Sequence, residues 1–472
     1  MIDLLIRGDT IVTPNGVGSY DVAIAGGKIV AVEQPGTRAD ADSRAVVDAT
    51  GKIVISGGVD PHVHCKWKTP AGSVSAAPPQ VSRAALFGGT TTLIDFAVWD
   101  QGMTLQQAIE RRDLDFKGQS HCDYSYHVLL HGDVPPEVVE QLPETIAAGF
   151  PSVKMYTTDV RPKRAGWKML HGDIWEVLQT LARSGGIACI HAEDDDLVMH
   201  MYRKLFREGR AHFTNMAEVH STLSEDLSFR RIIRLAENVE GAALYLMHVS
   251  AKTGLDAIAE SRATGHPIYG ETLHQYALFT SDDYRRPNGQ IYHTYPSLKG
   301  KLDNAALWEG ITKSGAISTV STDGVCTSFC VKIAGDQIDD TTGGSVGVEP
   351  RLSIMYTEMV TKRGCTLAHY AEVISTNAAR IMGLYPRKGA IAPGSDADIA
   401  ILDPTVKKKL RNEDLHESNY SPWEGYEVAA WPSMTILRGK KVMENGVLLG
   451  DVSDGERIPR KISSEIHAGP AC

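Results

Sequence analysis

Along the first fifty residues, short apolar runs alternate with turn residues. Leu4-Leu5-Ile6-Arg7 breaks at Gly8-Asp9, and Asp21-Val22-Ala23-Ile24-Ala25 turns at Gly26-Gly27 into Lys28-Ile29-Val30-Ala31-Val32. β-Branched residues set between Gly and Asp turns predict small hairpins. The far end has the same texture, with short strands at 397–402, 434–438 and 441–443 broken by Gly and Asn. The middle alternates strand and helix. Strands are predicted at Ile53–Asp60, Thr90–Ala97, Tyr124–Leu130, Ser152–Tyr156, Ile187–Ala192, Ala243–Val249, Pro267–Thr272 and Ile317–Asp323. Between most of them the apolar spacing is helical, as at 174, 177, 178 and 181 within Ile174–Arg183, or across Phe229–Ala236.

This alternation predicts an α/β chain: a (β/α)8 TIM-like barrel over residues 57–389, and a composite β-sandwich domain from residues 1–56 and 390–455, followed by a tail at 456–472. An open doubly wound sheet is the rival arrangement. The length of 472 residues suits one large barrel with an accessory domain, or two to three ordinary domains. No Gly-x-Gly-x-x-Gly follows an early strand and no Gly-x-x-x-x-Gly-Lys-Ser/Thr occurs, so a dinucleotide or P-loop site has no support.

Composition narrows the class further. Apolar residues are 42% and charged residues 22%, ordinary globular values. A net charge of −10 argues against nucleic acid or an anionic membrane as partner. No apolar run is long enough for a membrane span, and the opening Met1-Ile2-Asp3 lacks the pattern of a signal peptide. The seven cysteines form no Cys-x-x-Cys pair, so reduced thiols in a cytoplasmic protein are expected.

The strongest chemical signal is Asp60-Pro61-His62-Val63-His64 at the end of the first barrel strand. Histidines at i and i+2 of an extended chain point the same way, so both imidazoles can reach one cation. Other strand ends supply Lys154, His191, His248 and Asp323. Any one of these reads equally well as a core residue satisfied by a carbonyl. Five strand ends delivering polar side chains do not read as core filling, because each buried polar group costs about 1–3 kcal/mol unless paired. Barrel enzymes gather their active groups at these ends, and the joint pattern points to a metal centre.

With these residues in place, the sequence resembles the amidohydrolase superfamily, in its dihydropyrimidinase/hydantoinase branch, with allantoinase and dihydroorotase as cousins. The resemblance runs through Gly58-Val59-Asp60-Pro61-His62-Val63-His64, Gly88-Gly89-Thr90-Thr91-Thr92, Ser152-Val153-Lys154, Ile190-His191-Ala192-Glu193, His248-Val249-Ser250, Gly270-Glu271-Thr272, Gly347-Val348-Glu349 and Gly394-Ser395-Asp396-Ala397-Asp398. It implies two zinc ions per subunit, other divalent metals being possible. His62, His64 and Asp323 would bind one and His191 and His248 the second, with a carboxylated Lys154 (N6-carboxylysine) and a hydroxide bridging both. A plain Lys ammonium beside two dications would be repelled, whereas a lysine amine with a depressed pKa can add CO2 and become an anionic bridge. The implied activity is hydrolysis of a cyclic amide: hydroxide attacks a ring carbonyl, the C–N bond opens, and Asp323 carries the proton to the leaving nitrogen. Allantoinase, or a hydrolase of another cyclic imide or lactam, is the alternative. A metal-free scaffold related to dihydropyrimidinase is the distant one, since such scaffolds lose ligands and all six are present here. Homotetramers or dimers are expected from the family, and the tail Asp454–Cys472 reads as an exchanged arm or a frayed end.

The substrate-reading positions depart from the family. A tyrosine usual five residues after the bridging lysine is Asp159 here, while Tyr156 stands at plus two. The segment Tyr295-Pro296-Ser297-Leu298-Lys299 replaces Ser-Pro-Pro-Leu-Arg, Gly343-Gly344 replaces Asn-Gly, and Gly324 replaces the histidine after the catalytic aspartate. A change of ring, substituent or anchoring is implied. Tyr156 is the candidate oxyanion donor, and Trp167, Tyr295, Ser297 and Gly343 are candidate pocket residues. Loop Thr157–Leu170 carries Arg161, Lys163, Arg164, Trp167 and Lys168. It reads either as a solvated basic loop or as a cover over the pocket, with Trp167 on an apolar substituent and a cation on a carboxylate. Lys66-Trp67-Lys68 is a further pocket candidate. Glu193–Asp196 reads as the acidic start of a helix, structural rather than ligating.

Overall fold

The computed structural model describes residues 1–472. Five strands come first: β1 (Leu4–Thr13), β2 (Gly16–Ala25), β3 (Lys28–Glu33), β4 (Val46–Asp48) and β5 (Ile53–Ser56). Eight follow in the middle: β6 (Gly58–Asp60), β7 (Thr90–Val98), β8 (Asp123–Leu129), β9 (Ser152–Tyr156), β10 (Ile187–His191), β11 (Ala243–Leu246), β12 (Ile268–Leu273) and β13 (Ile317–Ser321). After them come β14 (Ile399–Asp403), a two-residue ribbon of β15 (Lys408–Lys409) and β16 (Glu427–Val428), and β17 (Trp431–Leu437), β18 (Lys440–Glu444) and β19 (Val447–Leu448).

Strands β6 to β13 lie side by side in chain order, all parallel, with helices such as His171–Ser184, Thr222–Glu237 and Lys252–Ala263 returning the chain between them. The seam between first and last strand closes just beyond their ends. His64 N–H donates to the Gly324 carbonyl at 2.8 Å, Gly324 N–H to the His62 carbonyl at 3.3 Å, and the Thr322 hydroxyl to Asp60 at 2.7 Å. The result is a TIM-type barrel.

Period-2 alternation divides each strand between two cores. In β9 and β10, Val153, Met155, Ala188 and Ile190 face the helices, while Tyr156, Ile187 and Cys189 face the barrel axis with Phe96, Tyr245, Met247 and Tyr269. The axial core is finished from below by the tail. Tyr124 N–H donates to Glu456 O and Ile458 N–H to Tyr124 O, burying Ile458, Ile462 and Ile466 under the strands. Arg460 reaches in beside them to the Ser125 and Ser152 hydroxyls, both at 2.8 Å. The segment expected as an exchanged arm or a frayed end is therefore part of its own subunit's core, because three isoleucines at fourfold spacing have an apolar surface to cover.

The second sheet has the order β19-β18-β17-β14-β5-β1-β2-β3, with β4 beside β1, and so draws on both sides of the barrel in sequence. One apolar core joins Leu4, Ile6, Val22 and Ile24 to Ile399, Ile401 and Ile436 across it. Gly26 and Gly27, at φ 58° and 77°, supply the double left-handed turn between β2 and β3. The run Ile53–Asp60, expected as one barrel strand, is two. It divides at Gly57, where a Cβ would stand 2.2 Å from the Thr91 hydroxyl, and β5 belongs to the second sheet while β6 opens the barrel. A buried charge cluster ties the two bodies together. The Lys388 ammonium bonds Asp123 of β8, Asp398 at 2.6 Å and Asp396 at 2.9 Å.

Candidate metal centre and active-site cavity

The polar residues that end the barrel strands converge. His62 and His64 follow β6 on one face of extended chain, and Asp323 follows β13 across the closing seam. His62 Nε2 and His64 Nε2 lie 3.1 and 3.0 Å from Asp323 Oδ1 and 3.2 Å from each other. Lys154 and Tyr156 share a face of β9, and His191 of β10 is paired with Tyr156 in register. His248 follows β11, its ring 4.4 Å from that of His191 and 5.6 Å from that of His62. All six are buried. His248 and Asp323 sit at φ 42° and 47°, a left-handed conformation that non-glycine residues adopt at a cost and that concentrates at functional sites.

Two carboxylates hold the imidazoles. Glu271 of β12 accepts from His62 Nδ1 at 2.7 Å, from the His248 backbone N–H at 3.1 Å and from the Tyr245 hydroxyl at 2.9 Å. Glu193 meets His191 Nε2 at 2.9 Å and His220 Nδ1 at 2.8 Å. With these nitrogens engaged, His62 turns Nε2 and His191 turns Nδ1 toward the centre, the arrangement by which carboxylates fix the tautomer of ligating histidines. Reading Glu193 as only the acidic start of a helix is incomplete: Asp194 caps that helix through the Leu197 N–H, while Glu193 serves His191. From the sequence neither Glu271 nor Glu193 was given a role behind a histidine, and His220 was not singled out. The available signals were a carboxylate inside the apolar β12 and another two residues beyond His191, whereas His220 arrives from an unpatterned loop.

Burial dominates the protonation states. It holds His191 down at about 4, against the pull of Glu193, and His248 well below the usual imidazole value. Burial opposes charge on His62 as well, but Glu271 and Asp323 outweigh it and raise the group to about 9. Burial lowers the Lys154 ammonium to about 8. This lysine has no carboxylate partner; its one hydrogen-bond partner is the Met247 sulfur at 2.8 Å.

A cavity of about 510 Å³ opens above these groups, in the size range of small-molecule sites. Tyr156, Trp167, Tyr295 and Gly343 line it together with the six strand-end residues. At Gly343 a Cβ would fall 2.2 Å from the Tyr295 ring, so the bare backbone makes room for that aromatic wall. Ser297 is not on the wall; its hydroxyl donates to the His220 carbonyl at 3.2 Å, behind the cavity. Lys66 and Trp67 also line it, the Trp67 ring 4.5 Å from His64. Asp159 organises the following loop: its Oδ1 accepts the Trp167 and Lys168 N–H groups, both at 2.8 Å, and so folds Trp167 back against Tyr156.

Comparison with known proteins agrees with this architecture. The amidohydrolase family model matches residues 53–442. A D-hydantoinase of Geobacillus stearothermophilus is 32% identical over 464 residues, covering 97% of this chain and 96% of its own length. A D-phenylhydantoinase of Escherichia coli is 29% identical, over 97% of this chain and 98% of the relative. The crystal structure of a dihydropyrimidinase from Brevibacillus agri superposes with a TM-score of 0.92 at 29% identity, over 98% of this chain and 100% of that one. The barrel, the convergent strand ends and the match over most of its length place the chain in one class: it belongs to the amidohydrolase family. Within that family its kinship is with the hydantoinase and dihydropyrimidinase branch. No helix is long and apolar enough to cross a membrane.

Proposed function

We propose that this chain hydrolyses the ring C–N bond of a cyclic amide, with one zinc ion held by His62, His64 and Asp323, a second by His191 and His248, and N6-carboxylated Lys154 bridging them. The donor set fits such a pair. Two imidazole Nε2 atoms and a carboxylate oxygen within 3.2 Å of one another are satisfied together by a cation at their centre. The observation that carries the reading is Lys154, a buried amine among four imidazoles with no anion to pair with. Carboxylation converts it from an unpartnered cation into an anionic ligand of the kind the imidazoles lack.

When bound, the metals would supply Lewis acidity for the ring carbonyl and would lower the pKa of a water at the site. The chain does the rest. Asp323 takes the water's proton and returns it to the leaving ring nitrogen, so water's oxygen ends in a carboxylate and the nitrogen leaves as an open-chain amide or carbamoyl group. Glu271 and Glu193 hold the imidazoles in register. The Tyr156 hydroxyl donates to the carbonyl oxygen as its charge grows, and Trp167 and Tyr295 wall the ring. All seven cysteines are unpaired, and we assign the enzyme to a reducing cytoplasm.

Ring opening by the zinc-loaded protein, followed on dihydrouracil, substituted hydantoins, allantoin and cyclic imides, tests the reading, alongside elemental analysis for two metals per chain. Protein that holds two metals and opens none of these rings would refute it.

A further inference from the structure

Most charged groups on the cavity wall are spoken for. Asp100 pairs with Arg111 at 2.7 Å, Asp115 with Lys66 at 2.6 Å and Arg112 at 2.9 Å, and Asp323 with His62 and His64. Arg164 is different. It lines the cavity without an ion pair, and its Nη2 is buried with no hydrogen-bond partner. The guanidinium is nonetheless held in place. Its Cζ lies 3.7 Å from the centre of the Trp167 ring, 4.5 Å from that of Tyr156 and 5.6 Å from that of Trp67. The loop carrying it is stitched down by Asp159 and by the Gly132 N–H, which donates to the Trp167 carbonyl at 3.0 Å. Arg161, on the same loop and the same wall, also lacks a carboxylate partner.

A buried guanidinium N–H with no acceptor is costly, and a fixed cation stacked on aromatic rings is preorganised for a charge-assisted bond to a planar anion. The position is informative too. The guanidinium Cζ lies 4.5 Å from the centre of the Tyr156 ring, and that centre is 5.0 Å from Lys154 Nζ. An acceptor met there fits a substituent of the ring, because Arg164 stands on the loop after β9 and not among the six strand-end residues.

We propose that the cyclic amide opened by this chain carries a carboxylate on a short substituent, and that Arg164 is the specificity-determining residue receiving it. The inference rests on the hydrolase reading above and adds the substrate's charge. Planar carboxylate suits a stacked guanidinium whose buried Nη2 has no acceptor, and the closeness of that guanidinium to the Tyr156 ring, itself near Lys154, keeps the substituent short.

The test pairs hydantoin-5-acetic acid with its neutral isostere hydantoin-5-acetamide. Binding to zinc-loaded protein is read from the fluorescence of the tryptophans at the cavity, and ring opening is measured separately. Wild type is expected to bind the acid at least tenfold more tightly than the amide and to open it with the higher kcat/KM. Arg164→Gln should remove that preference, mainly through Kd and KM. Arg164→Lys, which keeps the charge without the planar fork, should fall between. Equal binding of acid and amide by wild type would overturn the proposal, as would a preference for the acid that survives in Arg164→Gln, which would place the carboxylate on the metals. Arg164-dependent binding of the acid without opening of any ring would strike the hydrolase reading and leave the anion site standing.

Discussion

Replacing Glu271 by glutamine removes one charge beneath the metal centre and almost nothing else. Oε1 accepts from both His62 Nδ1 and the His248 N–H, and a glutamine carbonyl can do the same. On the other side, the new amide would face the Tyr245 hydroxyl. That hydroxyl lies 2.6 Å from Thr319 Oγ1, so it can turn its proton there and accept instead. The shape and hydrogen bonds survive; the negative charge that makes His62 a stronger base does not. Loss of such a carboxylate behind a ligating histidine costs about 10- to 100-fold in metal affinity, which corresponds to about 1.4–2.7 kcal/mol. The assay is titration of metal-free protein with zinc against a competing chelator, with circular dichroism and thermal melting confirming an unchanged fold. Tyr245→Phe, which removes only the donor to Oε2, serves as a control and should shift the affinity far less. A well-folded Glu271→Gln protein whose zinc affinity lies within twofold of wild type would show that the charge behind His62 does not tune the site.

Lys154→Ala is expected to lose metal and turnover together, with partial recovery on adding short carboxylic acids; full metal content and activity in that variant would refute the bridging role. Gly343→Ala should drive the Tyr295 ring into the cavity and lower kcat/KM about 100-fold, the usual effect of a displacement near 1 Å, with little change in melting temperature. For acid stability the sign follows from Asp396. Burial opposes its ionisation, but Lys388, Lys28 and Arg387 hold it at about 2, so its contribution is complete above about pH 4, the ordinary range of the unfolded carboxyl, and is lost as the pH falls through 2. Asp396→Asn should accordingly flatten the dependence of the urea midpoint on pH across that window. Ile462→Ala, beneath the barrel, should cost about 2–5 kcal/mol, read as a lowered urea midpoint; a neutral result would mean that the tail is not part of the core.

What the sequence made legible is what repeats. Barrel strands announce themselves by apolar runs ending in a polar residue, and His62, His64, Lys154, His191, His248 and Asp323 were each visible as such an ending, brought to one rim by the parallel topology. Features that depend on a single spatial encounter were not visible. The break at Gly57 inside an unbroken apolar run is set by the Thr91 side chain of the neighbouring strand. Ser297 read as a pocket residue from its segment, yet one hydrogen bond to His220 turns it away. Glu193 lay inside an acidic cluster whose helix-start reading was physically sound for Asp194 and incomplete for its neighbour. The tail offered Ile458, Ile462 and Ile466 in a charged context, and only the open floor of a barrel shows why they are apolar.

The pairing of β5 with β14 has a consequence for how the molecule comes together. The two strands flank the entire barrel in sequence, so joining them in an unfolded chain means closing a very long loop, and contacts of that kind form late. Once the barrel exists, its own compactness brings the two strands close and the remaining entropic cost is small. The smaller sheet is thus a clasp that shuts over a finished barrel and, through Lys388, locks to it. A lesion that loosens the barrel should unfasten the clasp as well, so the two bodies should melt in one transition.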